Sequence, residues 1–291
     1  MLPESLRRSL EAHLGRIREA RAVGGGSINH AARVEGPNGA FFVKYSEDAP
    51  AGIFAAEARG LEALAAAGSG LVVPRVLAIC DDPEPGTPAW LALEWLAPAP
   101  RAADFGERLG RGLAALHRSA GAWGWEEDNF IGSLPQENAP AGSWADFWWA
   151  RRLGPQLRRA RTAGRLPGHE REWERLREAL PRLLISGEED GPSLLHGDLW
   201  SGNVVATARG PALVDPATYR GHREVDLAMT ELFGGFGADF YAAYEEARPL
   251  RPGYREERRA VYQLYYLLVH VNLFGGGYVA QTAEVLERVV R

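Results

Sequence analysis

The apolar periodicity of this 291-residue chain changes at LAPAP (96–100), and that change bounds the folds open to it. Upstream, VGGGSINHAARVE (23–35) reads as a glycine-rich turn opening into a strand. GPNGA (36–40) is turn chemistry, and AFFVKYS (40–46) is the returning strand of a hairpin. VVPRVLAIC (72–80) and PAWLALEW (88–95) are further β-leaning runs around the loop DDPEPGTP. Helices are predicted here over 3–20, which is amphipathic, and over 49–68, rich in strong helix formers and stopped by Gly68. Downstream the helical period dominates, over 101–121, 143–163, 169–185, 222–233, 237–247, 254–273 and 278–290. SLLHGDLWSGNVV (193–205) and GPALVDPAT (210–218) read as short strands around a loop. The expected architecture is therefore α+β and bilobal. A small β-rich N-terminal lobe (1–93) meets a larger α-helical lobe (99–291) through a short link (94–98), stiffened by Pro98 and Pro100.

Composition excludes several classes. A net charge of −5 gives no basic footprint for nucleic acid or an anionic membrane surface. No apolar run approaches the length of a transmembrane helix. The N-terminus is charged and helix-periodic, without a signal-type apolar core, and the single Cys80 excludes a disulfide framework. These features predict a cytoplasmic protein. At 31.8 kDa the chain is large enough to act alone, and the sequence specifies no oligomer.

One cation stands apart. Of 33 Lys+Arg residues, Lys44 in AFFVKYS is the only lysine. Arginine presents a planar fork and lysine a compact point charge, so a position that keeps lysine against so strong a bias either needs the smaller ammonium or is a chance survivor of that bias.

The chemistry-bearing segment is HGDLWSGN (196–203). It sets Asp198 five residues before Asn203 and two after His196, and Asp215 follows Asn203 by twelve, at the end of the apolar run PALV. The catalytic loop of protein kinases, H-R-D-x-x-x-x-N, has the same internal spacing. Phosphoryl transfer needs a carboxylate at the acceptor hydroxyl and hard oxygen ligands for Mg²⁺. Asp198 is the expected proton acceptor, and Asn203 and Asp215 are the expected metal ligands, with His196 orienting the loop. In that scheme a strand lysine contacts ATP phosphates and pairs with a helix glutamate. Lys44 and Glu57 fill those places, with Glu62 a weaker partner further along the helix. Glycines 24–26 suit a loop whose backbone N–H groups approach phosphates, and Gly25 and Gly26 head the predicted hairpin. Glu94, Trp95 and Leu96 fall where the backbone of kinase-like folds meets adenine.

LLHGDLWSGNV, DPATYRGHREVDLAMTELFGGF and YQLYYLLVHVNLFG, with the upstream GGSINHAARV, FFVKY and DNFIGSLPQEN, resemble the fructosamine kinase (ketosamine-3-kinase) family over residues 20–290. The resemblance implies an aminoglycoside-phosphotransferase-like, protein-kinase-like fold. It implies ATP- and Mg²⁺-dependent phosphorylation of a ketosamine at sugar O3, giving a product that sheds the amine and so reverses glycation. The acceptor would be a small ketosamine or a glycated protein lysine, from glucose or ribose. The resemblance also allows Ser27 as a phosphate-loop donor, places Trp200 against the sugar face, reads Asp226 as bracing the loop, and offers Tyr219, His270 and Asn272 as acceptor-pocket residues. WGWEEDNFIG and the PQEN loop are further candidates for the acceptor side, whereas Trp144, Phe147 and Trp148 read as core.

Two other readings compete. One is a kinase for another small hydroxylated amine, such as an aminoglycoside, and acceptor preference discriminates it. The other is a pseudokinase, and the presence of Lys44, Asp198 and Asp215 together argues against it.

Overall fold

The computed structural model describes residues 2–24, 29–119 and 121–291. Its first helix, α1 (Glu4–Leu14), is shorter than the periodicity predicted, because Gly15 at φ 82° turns the chain into a strand, β1 (Glu19–Ala22). β2 (His30–Gly36) and β3 (Gly39–Ser46) form the predicted hairpin, in the register Gly36 to Gly39 around Pro37 and Asn38. Helix α2 (Ile53–Ala66) follows, then β4 (Val76–Cys80) and β5 (Ala89–Glu94). The five strands make one antiparallel sheet in the order β1-β2-β3-β5-β4.

Strand alternation decides what each face of this sheet meets. Phe41 and Val43 of β3, with Trp90 and Ala92 of β5, pack against Leu6 and Leu10 of α1. The alternate residues Leu91 and Leu93 pack with Phe42 against Ile53, Phe54 and Leu61 of α2. Each large apolar side chain buried this way contributes about 1.5–3 kcal/mol. Lys44 shares the α2 face with Phe42, so the strand register aims the single lysine at that helix. α2 itself starts at Ile53 because Asp81 accepts from the backbone N–H groups of Phe54 and Ala55, satisfying donors that a helix start leaves open.

After β5 the chain is mostly helical. The elements in order are α3 (Phe105–Leu116), a hairpin of β6 (Asn129–Ile131) and β7 (Leu134–Gln136), and α4 (Trp144–Phe147). A π-helical stretch (Trp148–Leu153) then leads into α5 (Gly154–Thr162), followed by α6 (Glu170–Leu183) and α7 (Ile185–Asp190). β8 (Ser193–Leu195), β9 (Val204–Thr207), β10 (Gly210–Leu213) and β11 (Tyr219–Gly221) come next, then α8 (Glu224–Phe233) and α9 (Ala238–Ala247). A π-helical turn (Tyr254–Arg258) precedes α10 (Arg259–Phe274) and α11 (Gly277–Val290). Trp144, Phe147 and Trp148 are fully buried with Tyr262 and Tyr265 of α10, so the aromatic run is core. Among the described residues no helix is long and apolar enough to cross a membrane.

Two strand pairs frame the functional loop. β8 pairs with β11, and β9 with β10, both antiparallel. The link after β5 is tied to this unit, since Ala99 N donates to Ala206 O at 2.8 Å.

Helices α3 and α9 approach so closely that a Cβ on Gly110 would lie 2.3 Å from Phe240 O. Replacing it by alanine gains about 1 kcal/mol of helix propensity but forces the helices apart, an overpacking cost of about 1–3 kcal/mol or more. Gly110→Ala is expected to lower stability by about 2 kcal/mol in a denaturant titration. Gly142→Ala, at an exposed site with open space around it, is expected to change stability by less than about 0.5 kcal/mol.

Candidate active site

The strand pairs bring the two halves of the motif together. Val214 N donates to Asn203 O at 3.1 Å, and Ala217 N donates to His196 O at 2.9 Å. Asp198, Asn203 and Asp215, separated by up to 17 residues in sequence, therefore face one cleft. Asn203 Nδ2 donates to Asp198 O (2.9 Å), Asp198 Oδ2 (3.2 Å) and Asp215 O (3.4 Å).

The cleft has a volume of about 790 Å³ and runs between the five-stranded sheet and the helical part. Lys44, Glu57, Asp198, Asn203 and Asp215 all line it. Lys44 Nζ donates to Glu57 Oε2 at 2.8 Å and to Asp215 Oδ1 at 2.9 Å. Burial alone would lower the Lys44 pKa, but Asp215 and Glu57 override it and leave the ammonium well above its usual value. The Glu57 carboxyl is raised, chiefly by burial, with Lys44 opposing. Glu62 on the same helix points to solvent.

Asp215 is the only non-glycine residue with positive φ, 55°, among the described residues. Such a conformation costs on the order of 1–3 kcal/mol and persists only where the surroundings impose it. It directs the carboxylate off the end of β10 toward Lys44.

Asp198 is raised to about 7, first by burial, then by Asp215, while the Asn203 amide opposes. A carboxyl near 7 is matched to moving a proton at neutral pH. The loop beneath it is fixed by buried polar groups. Asp226 accepts from His196 N (2.8 Å), Gly197 N (2.9 Å) and His117 Nε2 (3.1 Å). His196 Nδ1 accepts from Asp198 N at 3.2 Å, so its proton sits on Nε2 and goes to Val214 O at 2.9 Å. A Cβ at Gly197 would lie 2.0 Å from Ala217 O, so only glycine allows the loop to pass this close.

Asn203 and Asp215 supply hard oxygens suited to Mg²⁺. Among the described residues no group of three or more His, Cys, Asp or Glu could cage a metal. Two protein ligands suit a Mg²⁺ that keeps waters and phosphate oxygens as its other ligands. Asn203 fits the role because its amide nitrogen is engaged by Asp198, leaving Oδ1 as the acceptor.

At the end bounded by the sheet, Val23, Gly24, Ala31, Leu93 and Val214 line the cleft with Glu94, Trp95 and Leu96. Glu94 turns its carboxylate to Arg75 N (3.3 Å) and Arg209 Nη2 (3.2 Å), and the Arg33 guanidinium lies 5.4 Å from the Trp95 ring centre. Gly25, Gly26 and Ser27 lie outside the described residues.

At the other end, Trp200 is 36% exposed into the cleft, its ring resting where a Cβ of Gly202 would lie. Tyr266, Val269, His270, Leu273 and Phe274 line the cleft from α10, at helical spacing i, i+3, i+4, i+7, i+8. His270 sits 4.9 Å from both Phe233 and Tyr278, ring centre to ring centre. Burial lowers its pKa, and Nδ1 lies 2.8 Å from Tyr266 O, so the neutral ring donates there and keeps Nε2 as an acceptor. Phe233, Phe274 and Tyr278 were missed from sequence, although the α10 stripe could have shown Phe274.

Two expected pocket residues are corrected. Tyr219 is fully buried in the core, its ring 3.7 Å from the Arg152 guanidinium carbon, and does not line the cleft. Asn272 is turned away because it lies two residues, some 200° of helix, from His270. Its amide donates to Gln156 O (3.0 Å) and Oε1 (2.7 Å), tying α10 to α5.

Comparison with known proteins agrees with this geometry. A family model described as fructosamine kinase matches residues 4–291. A Synechocystis protein named "Probable ketoamine kinase" is 44% identical over 280 residues, 95% of this chain and 92% of that one. The chloroplastic protein-ribulosamine 3-kinase of Arabidopsis thaliana is 35% identical over 292 residues, 97% of this chain and 85% of that one. A solved structure from Thermobifida fusca, put forward as a fructosamine-3-kinase, covers 100% of both chains at 36% identity and a TM-score of 0.87. The aminoglycoside phosphotransferase APH(4)-Ia, solved with ADP and hygromycin B, has a TM-score of 0.63 at 17% identity over 99% of this chain and 98% of that one, which shows the shared protein-kinase-like α+β fold. The family match spans both the sheet that carries Lys44 and the loops that carry Asp198 and Asp215, and this chain belongs to the fructosamine kinase family.

Proposed function

We propose that this protein is an ATP-dependent kinase that phosphorylates sugar O3 of ketosamines, the fructosamine and ribulosamine adducts of amines, and so leads to their deglycation. The observation that carries the reading is the meeting of Lys44, Asp198, Asn203 and Asp215 in one cleft that continues into an aromatic end. We assign residues 1–93 to nucleotide binding, 94–98 to the hinge and 99–291 to catalysis and acceptor binding, in a cytoplasmic protein.

Lys44, held between Glu57 and Asp215, places its ammonium for the ATP phosphates, and an arginine fork would be too large for that slot. Asn203 and Asp215 would hold Mg²⁺, whose charge neutralises phosphate oxygens. Asp198 accepts the proton of the acceptor hydroxyl. Trp200 offers an apolar face to the C–H surface of the sugar, and Glu94, Trp95 and Leu96 frame adenine.

The cleft disfavours the aminoglycoside alternative. Of the carboxylates among its described lining residues, Glu57, Glu94 and Asp215 lie at the nucleotide end and Asp198 at the junction. The acceptor end is aromatic and apolar, which gives a polycation no acidic partners.

Magnesium-dependent ADP release is expected with ribulosyl-lysine or fructosyl-lysine and not above background with an aminoglycoside; the opposite preference would overturn the reading. Asp198→Asn is expected to lower kcat by about 10²–10⁴ with little change in ATP KM. Lys44→Arg is expected to lower kcat/KM for ATP at least about tenfold, and unchanged values would make the lone lysine a compositional accident.

Asp198→Asn has a second expected effect, on stability without nucleotide or divalent cation. The folded pKa of Asp198 is raised from 3.8 to about 7. Its charged form therefore opposes folding fully above pH 7, and the penalty fades as pH falls from 7 toward 3.8. The half-buried position limits the effect to about 1–2 kcal/mol. The variant should melt higher than wild type at pH 8 and lose most of that advantage by about pH 4.

A further inference from the structure

The motif DNFIGSLPQEN contributes Asn129, Phe130, Ile131 and Gly132 to the cleft wall, but its buried amides have no part in the chemistry described above. Asn129, Gln136 and Asn138 are each at most 7% exposed. They form a directional set of donors. Arg152 Nη2 donates to Asn138 Oδ1 (2.8 Å), Asn138 Nδ2 to Asn129 Oδ1 (2.9 Å), and Asn129 Nδ2 to Thr218 O (2.7 Å). A branch runs from Tyr265 OH to Gln136 Oε1 (2.6 Å), and from Gln136 Nε2 to Asn129 Oδ1 (2.8 Å) and Ala217 O (3.2 Å).

Both routes end on the carbonyls of Ala217 and Thr218, two and three residues beyond Asp215. The set has one orientation, because its source can only donate. Arg152 is fully buried and has no carboxylate partner among the described residues; Tyr219, Phe147 and Tyr265 hold its guanidinium by their ring faces. Asn138 and Asn129 must therefore present their oxygens toward Arg152, and because Asn129 Oδ1 is fixed as an acceptor, Gln136 turns its nitrogen to it and to Ala217 O and its oxygen to Tyr265 OH.

The opposite side of the same segment meets α2. Gly60 interrupts a helix otherwise rich in Ala, Leu and Glu, at a cost of about 1 kcal/mol relative to alanine. A Cβ there would lie 3.0 Å from Thr218 Oγ1 and 3.4 Å from Pro216 Cγ. Residues 216–218 are thus gripped between the amides of β6–β7 and the bare face of α2. Immediately before them stands Asp215, in a conformation that persists only where neighbours impose it.

We propose that Asn129 and Gln136, backed by Arg152 and opposed by Gly60, are positioning residues that lock the backbone after Asp215 and so keep its carboxylate in the metal-binding orientation. The proposal rests on the assignment of Asp215 as a metal ligand, and its test separates the two. Asn129→Ala removes the donor to Thr218. Gln136→Met keeps length and packing while removing the donor to Ala217. Mn²⁺ binding is titrated calorimetrically on the full chain saturated with a non-hydrolysable ATP analogue, beside metal-free binding of that analogue, melting temperature and kcat.

Both variants are expected to bind Mn²⁺ at least tenfold more weakly and to lose kcat in parallel. Metal-free affinity for the analogue should stay within twofold. A lowered melting temperature with unchanged Mn²⁺ affinity and kcat would make the amides merely structural and overturn the clamp. Failure of the wild type to bind Mn²⁺ would overturn the metal assignment and the clamp with it. If Asn129→Ala does not fold, Gly60→Ala presses the same segment from the other side. It should weaken Mn²⁺ binding in the same way, and wild-type affinity there would overturn the proposal.

Discussion

The ammonium of Lys44 ties the sheet, helix α2 and the segment after β10 together through one group. Its nitrogen lies within 2.9 Å of carboxylates from two elements that are 13 and 171 residues away in sequence. A buried ion cluster is weak evidence for stability, because desolvation offsets much of its attraction, but removing one partner is strongly destabilising. Its value here is geometric. Glu57 reaches Lys44 only if α2 lies flat on the α2-facing side of β3, and Asp215 reaches it only with its strained backbone. A chain that writes its other cations as arginine keeps lysine where three charged groups crowd a space with room for one compact donor.

The catalytic loop is specified by buried polarity rather than by apolar packing. Asp226, fully buried, takes three N–H groups, two of them from the loop backbone, and the neutral His196 ring passes hydrogen bonds from Asp198 N to Val214 O. Each bond has a defined direction, so the loop has few alternative arrangements of similar energy. The same rigidity leaves Asp198 half-buried beside Asp215, which is why its carboxyl titrates so high.

The sequence made some of this legible and hid the rest for physical reasons. The spacing of Asp198, Asn203 and Asp215 is a local property, preserved because the β9–β10 hairpin, enclosed by the β8–β11 pair, converts it directly into proximity. The alternation in AFFVKYS placed Lys44 on one face of a strand, and Glu57 followed from the helix after it. The first two residues of β1 fell in the predicted first helix because its four residues EARA carry no strand pattern, and pairing with β2 makes them extended. β6 and β7 are three residues each and are held by amide side chains that reach the 217–218 backbone, a signal no periodicity contains. Tyr219 and Asn272 were offered by the resemblance, without regard to where they point. Strand and helix phase send one into the core and the other toward α5.

The two ends of the cleft differ in the kind of charge they can tolerate. At the end bounded by the sheet, the Lys44 ammonium is paired with two carboxylates, Glu57 and Asp215, which leaves a net negative charge there. At the acceptor end, Phe233, His270, Phe274 and Tyr278 present ring edges and faces, with a neutral imidazole whose free Nε2 is an acceptor. Such a surface suits a hydroxylated ring carrying one protonated amine: the rings take up C–H surface and a single cation, and the imidazole accepts one O–H or N–H. It suits a polyanion poorly, because no cationic side chain is among its described lining residues. Asp198 stands where the two environments meet. Its raised pKa follows from that boundary, with low-dielectric packing on one side and the negative charge of Asp215 on the other.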